Sequence, residues 1–494
     1  MLLAYAEETR LLVSPKLNVK RKSALGQFMT PASVARFMAA MFPPSTLQTC
    51  RLLDAGAGLG ALTSAFLDRW KNGGFGFSKI EATAHELDDE LREHLESTLS
   101  GYANAHPVVP LVVPGDFIIQ TAVAMLEGIA QCDYTHAILN PPYKKITNDS
   151  EHRRALSQVG IETVNLYSAF VALAIELMAP RGIIVAIIPR SFCNGSYYRP
   201  FRELVLDKTS ILAMHLFDSR SKAFSDDDVL QENIIIMLER GSMQGAVTVT
   251  TSTDDSFSDL VSTQHRFDRI VFPDDKERFI HVPTTANETE LELAGSVRFS
   301  IDEIGVRVST GPVVDFRLKD HLRDIPEAGS VPIVYPMHLA GAKTTWPVLG
   351  GKKANSIMVN DETMGWLMPN GFYCVVRRFS SKEERRRIVA KVIRPDDFPQ
   401  GTEALGLENH VNVFNERRGG LPELLAYGLA FYMNTTAVDE AFRRFSGHTQ
   451  VNAGDLKTMK YPSREMLIDF GRWATQHLDA DQTAIDEHFK KINS

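Results

Sequence analysis

The sequence predicts an α/β fold over the first half, built on a mostly parallel sheet, followed by a mixed α+β second domain. Three observations carry that expectation. Residues 51–66 read as strand, glycine-rich turn and helix. Acidic residues then recur at successive strand ends, in the order Asp54, Glu86, Asp116. A short apolar strand ends abruptly at Asn140-Pro141-Pro142-Tyr143. Glycines at a strand-to-helix turn let a ligand approach the backbone, and open α/β sheets bind ligands at the carboxyl ends of their strands. With 494 residues the chain is too long for one core and implies two or more domains.

Composition narrows the class. Hydrophobic content of 44% and charged content of 23% are ordinary for a soluble globular protein. No apolar run approaches the ~18 residues of a membrane span. The opening residues, Met1 to Glu8, lack a basic region ahead of an apolar one and make a poor signal peptide. Cys50, Cys132, Cys193 and Cys374 lie far apart without a Cys-x-x-Cys pair, so reduced thiols, a cytoplasmic location and no metal site are expected. A net charge of −8 does not advertise a polyanion partner, but the basic residues are unevenly placed.

Taken in order, Thr30-Pro31 is a helix-start signal, and Val34, Phe37, Met38 and Met41 recur at helical spacing until Pro43-Pro44. The preceding Gly26-Gln27-Phe28 is not explained by that helix. A strand ending near Leu53 passes through Gly56, Gly58 and Gly60 into a helix carrying Leu62 and Phe66. The spacing is not the Gly-x-Gly-x-x-Gly dinucleotide fingerprint. Glu86 closes the next strand, where a carboxylate can accept from both hydroxyls of a ribose. Asp116 closes another with Phe117 beside it, a pair suited to an adenine amine and ring. Any one of these acids alone reads as a solvated loop residue; three at successive strand ends favour a nucleoside pocket. After the strand Ala137–Leu139, each proline fixes its own φ and restricts its predecessor. The Asn140 side-chain oxygen and the Pro141 carbonyl are thereby two rigid acceptors, with the Tyr143 ring alongside, able to receive a planar group that bears an NH₂.

In this order the motifs resemble the S-adenosylmethionine-dependent methyltransferases, and within them the gamma-class, TaqI-like DNA adenine-N6 methyltransferases of type II restriction-modification systems. The resemblance continues through Asn165-Leu166-Tyr167, a helix ending at Pro180-Arg181-Gly182, and the strand Ile183–Ile188 closed by Pro189. The loop Asp54-Ala55-Gly56-Ala57-Gly58 departs from the usual Asp-Pro-Ala-Cys-Gly form but keeps the acid and the later glycine. The resemblance implies a Rossmann-like catalytic domain with a mostly parallel seven-stranded sheet over 1–245 and a DNA target-recognition domain over 299–494; the Ser-, Thr- and Asp-rich stretch between them, 246–298, reads as a connector with some β structure. By position, Thr30, Asp54, Gly56 and Gly58 would bind the methionine part of S-adenosylmethionine, Glu86 its ribose, and Asp116 and Phe117 its adenine. Asn140 would border the cofactor and, with the Pro141 carbonyl, hold the target amine. Tyr143 would stack on one face of the target base, and Tyr198 on the other, with Tyr197 and Phe201 as competitors.

That chemistry asks chiefly for positioning. The cofactor sulfonium is already an activated methyl donor, whereas the adenine amine is a poor nucleophile because its lone pair is delocalised. Two acceptors pulling on the N–H bonds favour a pyramidal nitrogen ready for in-line attack, with no covalent intermediate. Cytosine C5 methylation would need a reactive cysteine, and no Pro-Cys dipeptide occurs. A target adenine inside a duplex must be flipped out, at a cost of a few kcal/mol.

The second half is expected to read double-stranded DNA. Two Arg-Arg-Phe-Ser elements, at 377–380 and 443–446, lie in an otherwise acidic chain, and the first runs on to Arg385-Arg386-Arg387. Arg377, Arg378, Arg385, Arg386, Arg387, Arg443 and Arg444 suit phosphates. His448, Gln450 and Asn452 have side chains of the types that bond base edges or phosphates. For isolated charge runs a solvated surface is the plainer reading. The segment Arg377–Glu384 resembles methyltransferases of the PstI type, which implies a six-base palindromic site and a cognate restriction endonuclease acting on it. The competing readings are a protein glutamine or RNA methyltransferase using the same Asn-Pro-Pro-Tyr, and a DNA-binding specificity subunit without catalysis. The long chain after the catalytic half disfavours the first, and the complete set of site positions disfavours the second.

Overall fold

The computed structural model describes residues 2–13, 29–217, 232–273, 275–283, 296–341, 343–380, 384–446 and 450–493. The chain divides into two units, Met1–Ala286 and Asn287–Ser494.

The first unit is organised by a nine-stranded sheet. Its strands are β1 (Thr49–Ala55), β2 (Lys79–Glu86), β3 (Val108–Pro114), β4 (Tyr134–Leu139), β5 (Met178–Pro189), β6 (Thr209–Phe217), β7 (Asn233–Arg240), β8 (Val247–Ser252) and β9 (Val261–His265). They lie in the order β3-β2-β1-β4-β5-β7-β6-β8-β9. The first five pair in parallel, and β7 runs antiparallel between β5 and β6. The central strands β4, β5 and β7 are buried on both faces and carry the apolar runs Ala137–Leu139, Ile184–Ile188 and Ile234–Ile236. Ile184, Ala186 and Ile188 of β5 face one core and Val185 and Ile187 the other, the alternation a pleated strand dictates.

Helices α1 (Leu2–Val13), α2 (Ala32–Met41), α3 (Ala61–Lys71), α4 (Asp89–Ala103), α5 (Phe117–Leu126), α6 (Glu151–Gln158), α7 (Leu166–Leu177) and α8 (Arg199–Lys208) connect the strands. Three expectations need correcting. The segment 246–298 is not simply a connector: β8 pairs in parallel with β6, β9 follows antiparallel, and Val247, Val249, Ile270, Val271, Ile280 and Val282 are buried in the first unit's core. The Val-Thr-Val-Thr alternation was the signal, diluted by the Ser, Thr and Asp around it. Helix α7 stops at Leu177, before Pro180, and Arg181 takes a positive φ of 66° where β5 bulges against β4. Pro31, not Thr30, is the N-cap of α2, and the Glu7 carboxylate accepts from the Ala32 amide at 3.2 Å.

The second unit is α+β. An antiparallel sheet joins β10 (Arg307–Thr310), β18 (Val411–Asn415), β15 (Tyr373–Arg377) and β16 (Ala390–Ile393), in that order. A five-stranded sheet joins β11 (Leu322–Arg323), β13 (Ser356–Met358), β12 (Ser330–Val334), β17 (Ala404–Leu407) and β14 (Met368–Pro369). Helices α9 (Glu423–Met433), α10 (Thr436–Phe445), α11 (Ala453–Thr458), α12 (Arg464–Gln476) and α13 (Gln482–Asn493) complete it. Helices α9 and α12 cross at Gly428 and Gly471, where a Cβ on either residue would lie 1.8 Å from a carbonyl oxygen of the other helix. Among the described residues no helix is long and apolar enough to cross a membrane, and no cluster of His, Cys, Asp and Glu is arranged to hold a metal.

Candidate active site

The site lies at the carboxyl ends of the parallel strands of the first unit. Where β1 gives way to α3, the Gly56 and Ala57 amides donate to the His85 carbonyl at 3.0 and 2.9 Å. Gly56, Gly58 and Gly60 have φ of 77°, 56° and 81°, a region that L side chains rarely enter. At Gly60 a Cβ would also meet Leu95 Cδ1 at 2.8 Å. The loop is thus held in a conformation that only glycine fills without strain, and it walls a cavity of about 190 Å³.

Thr30, Gly56, Gly58, Glu86, Asp116, Phe117 and Asn140 all line this cavity, which brings together residues spread over 110 positions of sequence. Glu86 is buried, and both its oxygens are engaged: Oε2 accepts from the Gly58 amide at 2.7 Å and Oε1 from the Asp88 amide at 2.8 Å. Burial raises its pKa. Asp116 caps α5, its Oδ1 accepting from the Ile118 and Ile119 amides at 2.9 and 3.1 Å, while Oδ2 lies 2.7 Å from His152 Nε2. Burial opposes ionisation, but the His152 contact and the helix amides together hold the Asp116 carboxyl below its usual range. The same contact raises His152. Phe117 packs against His85 and Phe170, with ring centroids 4.9 and 5.0 Å away.

Asp54 is the exception among the expected cofactor residues. It is fully buried at the end of β1, does not line the cavity, and accepts from Thr63 Oγ1 at 2.6 Å. Its other oxygen, Oδ1, has no hydrogen-bond partner, and burial pushes its pKa up to about 7. The residue ties the end of β1 to α3 through Thr63.

Asn140 is fixed from two sides. Its Nδ2 donates to Thr30 Oγ1 at 2.9 Å, and the Tyr143 hydroxyl lies 3.2 Å from both Asn140 Oδ1 and the Ile187 carbonyl. Thr30 therefore sets which way the Asn140 amide points. The Tyr143 ring stands edge-on to Tyr167 at 6.3 Å, and Tyr167 stacks with Tyr198 at 5.8 Å. Tyr198 is also hydrogen-bonded to the Asn165 side chain. Of its competitors, Phe201 is 1% exposed and packs on Phe192 in the core, whereas Tyr197 is 79% exposed.

In the second unit several of the arginines expected at phosphates also make contacts within the fold. Arg387 is 1% exposed: its Nε donates to Ser380 Oγ, its amide to Asp439 Oδ1, and its guanidinium sits 5.5 Å over the Phe442 ring. Arg386 donates to Gln482 Oε1 and the Thr435 carbonyl, Arg443 to Asp439 Oδ2 and the Glu384 carbonyl, and Arg378 to the Asn409 carbonyl. Arg377 pairs with Glu384. Asn452 caps α11, where its amide donates to Asp455 Oδ2 at 3.0 Å. A charge run cannot reveal which of its members fold inward, so only tertiary contacts separate these residues. Arg385 is exposed, Arg444 is half-buried, and Gln450 pairs with Phe379 as an isolated β-bridge. Gln27, Phe28 and His448 lie outside the described residues.

The cavity has walls that no sequence motif announced. Ala6 and Arg10 come from α1, Lys144 and His152 follow the Asn-Pro-Pro-Tyr turn, and Phe170 belongs to α7. Tyr167 could have been flagged from Asn165-Leu166-Tyr167; Arg10 carried no local signal.

Comparison with known proteins gives this arrangement a family. The Eco57I restriction-modification methylase family matches residues 118–224, which include Asn140-Pro141-Pro142-Tyr143. The chain is 48% identical to the type II methyltransferase M.BsuBI of Bacillus subtilis, over 99% of this chain and 98% of that one. The chain belongs to the type II methyltransferases. It is 39% identical to another type II methyltransferase, M.PstI of Providencia stuartii, over 97% of this chain and 95% of that one, in keeping with the expected PstI-type affiliation. Among solved structures, the DrdV–DNA complex resembles this type II methyltransferase in fold, with a TM-score of 0.55 at 13% identity, covering 96% of this chain and 59% of that one.

Proposed function

We propose that this methyltransferase transfers a methyl group from S-adenosylmethionine to N6 of an adenine flipped out of double-stranded DNA, at a specific site. The observation that carries the reading is the fixed Asn140 at the cavity wall. With Nδ2 donating to Thr30, the amide oxygen, which also accepts from the Tyr143 hydroxyl, is the acceptor proposed to meet an incoming amine. The Pro141 carbonyl, rigid between two prolines, supplies the second acceptor.

The lining residues fit the cofactor. The positive-φ glycine loop admits close approach, Glu86 stands at the second strand tip for a ribose, and Asp116 with Phe117 offers an acceptor beside an aromatic ring. Bound there, S-adenosylmethionine supplies an electrophilic methyl group on a sulfonium. The chain's own part is to orient the amine through two fixed acceptors and to stack the base, with Tyr143 on one face and Tyr198 on the other. The unit from Asn287 onward is the candidate DNA-reading part, and the PstI-type affiliation argues for a six-base palindrome.

Asn140→Ala separates the roles. Methylation of duplex DNA is expected to disappear, while cofactor affinity, measured by calorimetry, stays within a few-fold because the other cavity residues remain. Full activity in that variant, or methylation directed to cytosine, would overturn the assignment.

A further inference from the structure

The cavity is lined by two carboxylates, Glu86 and Asp116, and by the buried cation Arg10 on α1. Ala6 and Arg10 stand at i and i+4, so one face of α1 supplies both. Glu7 grips the guanidinium in fork geometry, with Arg10 Nε donating to Oε2 at 3.0 Å and an Nη donating to Oε1 at 2.8 Å. The same Oε2 accepts from the Ala32 amide at 3.2 Å, which ties Arg10 to the start of α2, two residues beyond Thr30. Arg10 is therefore a pre-oriented cation next to the segment that positions Asn140.

We infer that Arg10 is the partner of the cofactor's α-carboxylate and that α1 is an integral wall of the cofactor site. The inference rests on the proposed use of S-adenosylmethionine. A sulfonium carries three substituents. The methyl must face Asn140, and the adenosyl group fits the Asp116–Phe117 end. The aminocarboxypropyl chain is left with the wall made by Thr30, the glycine loop and α1. The α-ammonium of that chain balances the carboxylate's charge but does not satisfy its oxygens, and a carboxylate taken out of water needs hydrogen-bond donors in place of the water it loses. Arg10 and His152 each already hold a carboxylate, Glu7 and Asp116, but His152 stands at the adenine end, and Lys144 is exposed on the segment after Tyr143. Arg10 has the matching geometry, since a planar guanidinium binds a carboxylate through directed, charge-assisted hydrogen bonds.

The test compares ligands with and without the carboxylate on the full chain. The probes are S-adenosylhomocysteine and its decarboxylated analogue, titrated by calorimetry into wild type, Arg10→Gln and Arg10→Lys, with melting temperatures recorded. Wild type is expected to bind S-adenosylhomocysteine about 10- to 100-fold tighter than the analogue, the range for a hydrogen-bonded charge pair. Arg10→Gln is expected to erase that preference while binding the analogue as wild type does, and Arg10→Lys to keep part of it. An equal loss for both ligands would make Arg10 merely structural, and no loss for either would remove it from the site; both overturn the inference. If Arg10→Gln does not fold, the wild-type and Arg10→Lys preferences decide, and equal affinities for the two ligands in wild type refute the carboxylate role. Wild type binding neither probe would instead sink the cofactor reading beneath it.

Discussion

Thr30 and Asn140 are 110 positions apart in sequence, yet a 2.9 Å hydrogen bond joins the Asn140 amide to the Thr30 hydroxyl. Each was recognisable from its own motif; the bond between them was not, since nothing local records a contact at that separation. Asp54 shows the same divide with a different outcome. The acid before the glycine loop was legible, but its full burial was not. That burial has a thermodynamic consequence. The folded pKa is about 7, against roughly 4 in an unfolded chain, so between those values the folded state keeps a proton that the unfolded state releases. The contribution is fully present below about pH 4 and is lost as pH rises through 7. Wild type is therefore expected to lose up to roughly 4 kcal/mol relative to Asp54→Asn across that window. Denaturation of both proteins at a series of pH values checks this, and a pH-independent difference between them refutes it.

At the scale of elements, strand–glycine turn–helix units announce themselves, because their backbone requirements are met by particular residue types at fixed offsets. The β1–α3 loop and the Asn-Pro-Pro turn are of this kind. Helix α1 is not: it buries Thr9 and Arg10 while Leu11 and Leu12 are exposed, so its sequence does not announce which face packs. The α9–α12 crossing is likewise invisible locally, since Gly428 and Gly471 sit in helices where glycine is otherwise a disadvantage. Gly428→Ala, favourable by helix propensity alone, is expected to destabilise by about 3 kcal/mol or more, because its Cβ would meet the Leu467 carbonyl oxygen at 1.8 Å. Thermal unfolding settles which effect wins. An unchanged or raised melting temperature would show that the helices move apart freely.

On the scale of the whole molecule, the boundary matters for function. The first unit continues to Ala286, so β8, β9 and the buried segment around Ile280 belong with the sheet of that unit rather than with a separate connector. In the second unit, burial sorts the basic residues into two experimental classes. Arg385→Ala removes an exposed cation and is expected to weaken binding to all DNA sequences, lowering the salt-dependence slope by about one unit if it contacts a phosphate. Arg387→Ala removes a side chain packed on Phe442 and bonded to Ser380, so its first effect should be a lower melting temperature. Binding isotherms at several salt concentrations, read beside melting curves, distinguish the two. Equal effects of both substitutions on stability would contradict the sorting.

The sequence by itself determined the α/β class, the order of the strand-end motifs and the PstI-type affiliation. Backbone-restricting residues and strand periodicity are local properties, and a motif keeps its spacing wherever it is placed. Only the tertiary structure decided that Asp54 lies beneath the loop, that Thr30 holds Asn140, that Arg10 joins the cavity wall and that Arg387 is core rather than surface. Burial and long-range hydrogen bonds depend on which segments meet in space, and no window of sequence contains that information.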